Sequence, residues 1–117
     1  MATFTKRLLS GSSNGKGIKI AATATPGTLL HTAVTGTFDL DEVWIYLVNT
    51  GAAAVKVTIE WGEATAPDGN IEQAISGESG LVLVIPGLLV QNAIEIRAFA
   101  ANSNVIIAHG FVNRISA

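Results

Sequence analysis

The side chains able to perform acid–base or nucleophilic chemistry are few and scattered in this 117-residue chain. It contains no cysteine, which excludes thiol chemistry, and only two histidines, His31 and His109. Both lie within segments that have the pattern of strands, so we interpret them as core or interface residues and not as catalytic bases. Because no nucleophile, base and orienting group can be placed together, we predict that the protein is not an enzyme.

Two glycine motifs share residues with functional loops but lack the remaining ones. In GSSNGKG (11–17) only three residues separate the first two glycines, and Gly17 follows Lys16 where a phosphate-binding loop needs serine or threonine. In GESG (77–80), Leu81 stands where the last glycine of a nucleophile elbow belongs. We therefore interpret the first segment as a hinge and the second as a turn.

Three carboxylates, Asp39, Asp41 and Glu42, lie close together in the segment TFDLDE. Carboxylate oxygens are the ligands that calcium prefers, but this spacing does not match that of a calcium-binding loop. We interpret the segment as a solvated turn in front of a strand. Neither a metal nor another cofactor is predicted.

Three aromatic residues, Trp44, Tyr46 and Trp61, offer a platform on which a sugar or a base could stack. Trp61 shares one face of the segment 55–61 with valine and isoleucine, which favours a core position. Trp44 and Tyr46 lie on the opposite face of their strand from the aliphatic residues of 43–47. We predict that these two residues are anchors of an interface.

The candidate residues lie in segments that are rich in valine, isoleucine and threonine and in which apolar and polar residues alternate. Turn sequences separate these segments, as expected for β-strands. No segment of helical length keeps an apolar stripe. We therefore predict that residues 17–117 form an all-β domain, an antiparallel β-sandwich or jelly roll of about eight strands. Strands are expected at 18–23, 28–34, 42–49, 55–61, 70–75, 81–85, 93–101 and 105–113.

Three of the expected strands are apolar on both faces, at 44–48, 81–85 and 105–112. Only one face of each strand is inside a two-sheet sandwich, so something else must cover the other face. Charged residues make up only 14% of the chain, against roughly 25% in ordinary soluble domains. We predict a homo-oligomer, with a trimer as the expected state and with Trp44, Tyr46, Val82 and Val84 in the subunit interface.

Residues 1–16 are predicted to form a flexible N-terminal arm, because the segment 11–17 has no apolar residue with which to pack on the domain. At the other apolar segment, Pro86 cannot donate a hydrogen bond to a neighbouring strand, so the sheet is expected to end there.

Charge and hydropathy exclude two classes of partner. The net charge is −2 and the basic residues are scattered, so no nucleic-acid surface is predicted. The apolar run at 81–90 is about half as long as a membrane-spanning helix, and proline interrupts it. A secretory signal needs about 7–15 consecutive apolar residues, but Lys6 and Arg7 are followed only by Leu8 and Leu9, so no signal peptide is predicted. No membrane partner is predicted.

The chain resembles the small accessory virion proteins of tailed bacteriophages, especially the decoration or cement proteins that bind outside the capsid. The stretches that carry the resemblance are DEVWIYLVNTGAAAVKVTIEWG, GLVLVIPGLLVQNAIEIRAFA and NVIIAHGFVNRI. Such proteins are small β-sandwiches or jelly rolls, often trimeric and without cofactors, that tie capsomers together at symmetry axes.

The resemblance implies a non-enzymatic protein that is made in the host cytoplasm and binds the capsid exterior. The major capsid protein, or another virion protein, is the implied partner. The arm would lie extended along it by β-addition, with Phe4, Lys6, Arg7, Leu8 and Leu9 in contact. A carbohydrate- or receptor-binding module of a phage fibre or tail is the alternative.

Overall fold

The computed structural model describes residues 2–116, which form strands, turns and loops but no helix. No membrane-spanning helix is therefore found in this part of the chain. The strands are β1 (Thr3–Leu8), β2 (Ile18–Lys19), β3 (Thr28–Thr32), β4 (Leu40–Asn49), β5 (Val55–Trp61), β6 (Asn70–Ile75), β7 (Val82–Val90), β8 (Glu95–Ala100) and β9 (Ile106–Ser116).

The strands form two antiparallel sheets. The front sheet has β1 and β2 end to end along one flank of β9, followed by β4 and β7. The back sheet has the order β3-β8-β5-β6. The strands pair from the middle of the chain outward, β5 with β6, β4 with β7, β3 with β8 and β1/β2 with β9, as in a long hairpin that has been rolled up. With β1 and β2 counted as one interrupted strand, this is the eight-stranded order of a jelly roll, which confirms the predicted fold class.

One core fills the space between the sheets, and alternation along the strands decides what enters it. In β4, every second residue from Asp41 to Asn49 is buried and the residues between them are half-buried. Val57 and Ile59 of β5 are fully buried, and Trp61 packs against the same core, as predicted. The side chains on the inner faces of the two sheets pack against each other. Only the outer face of each strand is therefore accessible to a partner.

The strand expected to stop at Pro86 continues through it. β7 spans Val82–Val90 and pairs with β4 along this length, with two irregularities in register. One of these follows Pro86, where Gly87 is the extra residue and has a φ of 85°. A proline is tolerated here because β7 is an edge strand and the ladder is bulged at this point. The prediction that the sheet ends at Pro86 is therefore wrong.

The ring of Trp44 packs closely over Gly87, which leads to a testable prediction. A Cβ atom at Gly87 would lie 3.0 Å from Cζ2 and 3.1 Å from Cε2 of Trp44. Gly87→Val should therefore cost about 1–3 kcal/mol of stability through its left-handed backbone and also displace the indole ring. Gly36→Val is the matched control, because Gly36 has a φ of 80° and no atom within 4 Å of an added Cβ. Tryptophan fluorescence should change in the first variant only, and equal spectra would contradict this packing.

The N-terminal residues are bound to the domain and do not form a free arm. β1 pairs with β9 along its full length, Leu9 is 1% exposed in the core, and the Gly11 amide donates to the Leu30 carbonyl of β3. The predicted boundary at residue 16 overlooked two partners, a core site for Leu9 and the open edge of β9. Every side chain of β1 nevertheless remains exposed. Met1 and Ala117, the outer ends of the predicted arm and domain, lie outside the described residues.

Candidate interaction surface

A histidine, an aspartate and an arginine form a buried cluster between the sheets, and a histidine bonded to an aspartate is also part of many catalytic triads. Asp41 of β4 accepts hydrogen bonds from Arg114 of β9, with Nε to Oδ1 at 2.7 Å and Nη2 to Oδ2 at 3.0 Å. His31 of β3 lies 2.8 Å from Asp41 through Nε2, and the Ser10 amide donates to its Nδ1 at 3.0 Å. Because Nδ1 accepts, Nε2 carries the proton and donates it to the carboxylate.

This cluster joins the sheets and has no free group for catalysis. Both imidazole nitrogens of His31 are occupied, so neither can accept a proton from a nucleophile. The Ser10 hydroxyl accepts a hydrogen bond from the Thr32 amide at 2.6 Å. His31 is thus a buried core histidine, one of the two positions predicted for it, and His109 is half-buried in β9.

Asp41 was expected in a solvated turn, and that interpretation is wrong. It is 0% exposed because the alternation of β4 turns it inward. Arg114 lies directly opposite in the register and neutralises it, which makes the burial tolerable.

The Asp41 carboxyl should make stability depend on pH. Burial raises the pKa of Asp41, but hydrogen bonds from Arg114, His31 and the Val34 amide outweigh it, so the pKa lies below its usual 3.8. A depressed pKa in the folded state stabilises the fold at pH values above the unfolded pKa, and this contribution is lost as pH falls through the folded pKa. The free energy of unfolding should therefore decline below about pH 4, and less steeply in Asp41→Asn. Equal slopes for the two proteins in denaturant titrations between about pH 5 and pH 2 would contradict the assignment.

The back sheet also offers no open catalytic or ligand site among the described residues. Glu60 is 2% exposed, and its carboxylate accepts hydrogen bonds from the Thr25 hydroxyl at 2.5 Å and the Gly27 amide at 2.6 Å. Beside it, Arg97 donates to Glu95 at 3.0 Å. The adjoining cavity is about 160 Å³ and a second one, beside Lys56 and Phe99, is about 250 Å³, both smaller than the roughly 300–1,000 Å³ of typical ligand sites. No group of three or more acidic or histidine side chains within residues 2–116 is placed to hold a metal ion.

The outer face of the front sheet is the most distinctive surface of the molecule. Residues directly opposite each other in an antiparallel pair share a face, so the registers of β1, β9, β4 and β7 define its members. We call this surface the apolar face. Its apolar members are Phe4, Leu8, Leu40, Trp44, Tyr46, Val48, Leu83, Pro86, Leu89, Ile107, Phe111 and Ile115, and the polar residues Lys6, Glu42, His109 and Asn113 share the face.

The outer face of the back sheet has the opposite character. Its accessible residues are mainly charged and polar, namely Lys56, Asn70, Glu72, Glu95 and Arg97, together with Leu29 and the single aromatic Phe99, while Thr58 and Glu60 of the same face are buried. The two outer faces of the sandwich therefore differ strongly in polarity. A polar face is suited to water, whereas a face that exposes many large apolar side chains marks a site of protein contact.

The centre of the apolar face is a fixed aromatic pair. The rings of Trp44 and Phe111 are 5.9 Å apart between centroids and 9° from parallel. The indole Nε1 donates to Glu42 at 2.8 Å, and the Asn113 amide donates to the same oxygen at 2.9 Å. These two hydrogen bonds lower the pKa of Glu42. Lys6 lies over the Phe111 ring with Nζ 5.0 Å from its centroid. Since Glu42, Asn113 and the indole N–H are bonded to one another, a partner would meet a fixed aromatic surface at this point.

The structure unites two sets of residues that were predicted to have separate roles. Trp44 and Tyr46 are half-buried on the apolar face. Phe4, Lys6 and Leu8, predicted as capsid contacts of the arm, are on the same side of the sheet.

The other two arm residues point elsewhere. Arg7 is on the opposite side of β1, in register with the core residue Val112. Leu9 is in the core and is not available to a partner.

Val82 and Val84 were predicted in the subunit interface, and the structure places both against the core. Val82 is in register with the buried Leu47, so its side chain turns inward. The bulges in β7 change the alternation, and the residues of β7 on the outer side are Leu83, Pro86 and Leu89.

One further exposed residue was missed by the sequence analysis. Phe38, in the β3–β4 loop, is 90% exposed. The sequence could have indicated its exposure, because Phe38 lies in the turn-forming segment TGTFD, where a side chain is not expected to enter the core.

Comparisons of the chain with protein families, with curated proteins and with solved structures find no match. Functional inference therefore rests on the surfaces of the molecule.

Proposed function

We propose that the protein is a non-enzymatic structural protein of a tailed-bacteriophage virion, which binds outside the capsid at subunit junctions and stabilises it. The observation that carries this proposal is the apolar face, an aromatic-centred surface across the whole front sheet of a chain with only 14% charged residues. The proposed partner is the major capsid protein or another virion protein, and the proposed state in solution is a homo-oligomer, with a trimer expected.

The apolar face is assigned to the capsid contact and not to the contact between subunits. It brings the aromatic residues Trp44 and Tyr46, predicted for the subunit interface, together with Phe4 and Leu8 of β1, which the family resemblance assigns to the capsid. If two copies covered each other's apolar faces, only polar surfaces would remain for the capsid. When the apolar face is attached to the capsid, the outer face of the back sheet points into the solvent.

The stabilising mechanism is mass action. A protein that binds only the assembled lattice lowers its free energy by RT ln(1 + [L]/Kd) per site. At a free concentration of about 100 times Kd this amounts to roughly 2.7 kcal/mol per site. Because a capsid repeats the site many times, the shell as a whole resists disassembly.

The alternative function is carbohydrate or receptor binding by a module of a fibre or tail. The observation that favours it is the pair of nearly parallel, half-exposed rings of Trp44 and Phe111, since aromatic faces stack on sugar rings. Binding to a glycan array with millimolar or better affinity, together with location on the tail, would support this alternative.

The composition and stability of purified virions test the proposal. We expect the protein in particles made by the phage genome that encodes it, in many copies per particle and accessible to antibody on the capsid surface. Particles made without it should assemble but lose their DNA at a lower temperature, because the lattice loses the binding free energy. Virions that lack the protein, or that carry it only on the tail, would contradict the proposed role.

A further inference from the structure

Most charged side chains in residues 2–116 are already used within the subunit. Arg114 pairs with Asp41, Arg97 with Glu95, and Lys56 with Glu72 at 3.2 Å between Nζ and Oε1. Glu42 and Glu60 accept hydrogen bonds, and Asp39 lies near enough to Arg114 to raise its pKa, after the larger effect of Asp41. In the described part of the chain, the side chains outside these hydrogen bonds and ion pairs are Lys6, which lies over the Phe111 ring, and Arg7, Lys16, Lys19, Glu63, Asp68 and Glu78.

The four basic members of this set follow one edge of the sandwich. Lys6 and Arg7 are in β1, Lys19 is in β2 and Lys16 is in the loop between them, and all are exposed. Lys6 pairs with Asn113 of β9, and Lys19 pairs with Ile107 of the same strand. The row of basic residues therefore follows β9 over six residues, or about 20 Å. We call this row the basic edge.

The three acidic members lie on another edge. Glu63 and Asp68 are in the loop before β6, Glu78 follows β6, and all three are exposed. β6 is the outermost strand of the back sheet, and its six residues span about 20 Å. We call these three residues at the two ends of β6 the acidic edge, and the distance between the ends is close to the length of the basic edge.

The two edges are on opposite sides of the molecule. The basic edge lies above β3, as shown by the hydrogen bonds from the Gly11 amide to Leu30 and from the Thr32 amide to the Ser10 hydroxyl. β3 and β6 are the two ends of the back sheet. Each subunit is therefore positive along one side and negative along the other.

We propose that the basic edge of one copy binds the acidic edge of a second copy, head to tail. Opposite charges in rows of similar length steer such contacts and fix their register, even though single exposed ion pairs contribute little. A contact between two different patches generates a ring when the rotation closes. The inference rests on the homo-oligomer in the proposed function. Lys6 and Lys19 border the apolar face on the side of β1 and β2, so the contact leaves the centre of that face, at Trp44 in β4, free for the capsid.

Charge reversal at each edge tests the contact. Lys16→Glu with Lys19→Glu makes the basic edge negative, and Asp68→Lys with Glu78→Lys makes the acidic edge positive. Each double variant should raise the dissociation constant of the oligomer at least about tenfold in sedimentation velocity at low salt, because like charges then meet. The four changes combined restore opposite signs and should return the constant to within about threefold of wild type. Phe99→Glu, on the inner strand β8 of the back sheet, is the control and should leave the oligomer intact.

The outcomes separate this inference from the proposed function. Loss of the oligomer in both double variants with recovery in the combined variant supports the head-to-tail contact. Oligomers that persist in either double variant, or no recovery in the combined variant, overturn it, as does a wild-type monomer. Binding of the same proteins to capsids is measured separately, and its loss in the wild type would overturn the proposed function instead.

Discussion

Asp41→Ala should lower the melting temperature by about 10–20 °C, the largest loss of stability expected from a single side chain outside the apolar core. The change leaves the guanidinium of Arg114 and the imidazole N–H of His31 without their acceptor between the two sheets. Breaking a buried pair by removing one partner costs about 3–5 kcal/mol. In a domain of this size, roughly 4 °C of melting temperature corresponds to each kcal/mol.

Asp39→Ala is the control for this prediction. Asp39 is two residues away and only half-buried, so its replacement should change the melting temperature by no more than about 2 °C, as surface changes usually do. Calorimetry of both variants at pH 7 measures the difference. If Asp41→Ala melted within a few degrees of wild type, the buried cluster would not connect the sheets as described.

Trp44→Arg should abolish attachment to the capsid while the subunit remains folded. The indole is at the centre of the apolar face and is only half-buried, so a partner would cover the rest of it. Aromatic anchors at the centre of an interface contribute about 2–4 kcal/mol, which corresponds to a loss of affinity of roughly 30- to 1,000-fold. The melting temperature should fall by only a few degrees, because the arginine extends into water.

Phe99→Arg is the matched control, an aromatic residue replaced in the same way on the outer face of the back sheet. It should bind capsids with an affinity within about threefold of wild type. Co-sedimentation with particles that lack the protein gives both dissociation constants. Equal losses in the two variants would show that the apolar face has no special role in attachment.

The sequence predicted those strands whose side chains alternate between a buried and an open face. β5 is the clearest example, because its valines and isoleucine face the core while Lys56 is exposed. β1 could not be found in this way, since none of its side chains is buried and only its backbone joins the sheet. β7 was predicted to be too short because the bulge at Gly87 tolerates Pro86 within the strand.

The residues of the apolar face could be predicted only where the strand alternates regularly between a buried and an open side. Trp44 and Tyr46 are in a regular strand, where alternation places them opposite the core. The segment 81–85 is aliphatic on both faces, so alternation could not tell which side of β7 faces the core, and Val82 and Val84 were assigned to the outer side although both pack against the core. The burial of Asp41 depends on Arg114, 73 positions away, and only the pairing of β4 with β9 brings them together.

Electron cryo-microscopy of capsids that lack the protein, after it is added back in excess, tests most directly whether the apolar face is the capsid-binding surface. The proposal predicts density at symmetry-related positions outside the shell, with the front sheet against the capsid, Trp44 at the contact and the back sheet toward solvent. Density with the back sheet against the shell, or no added density at saturating protein, would contradict it.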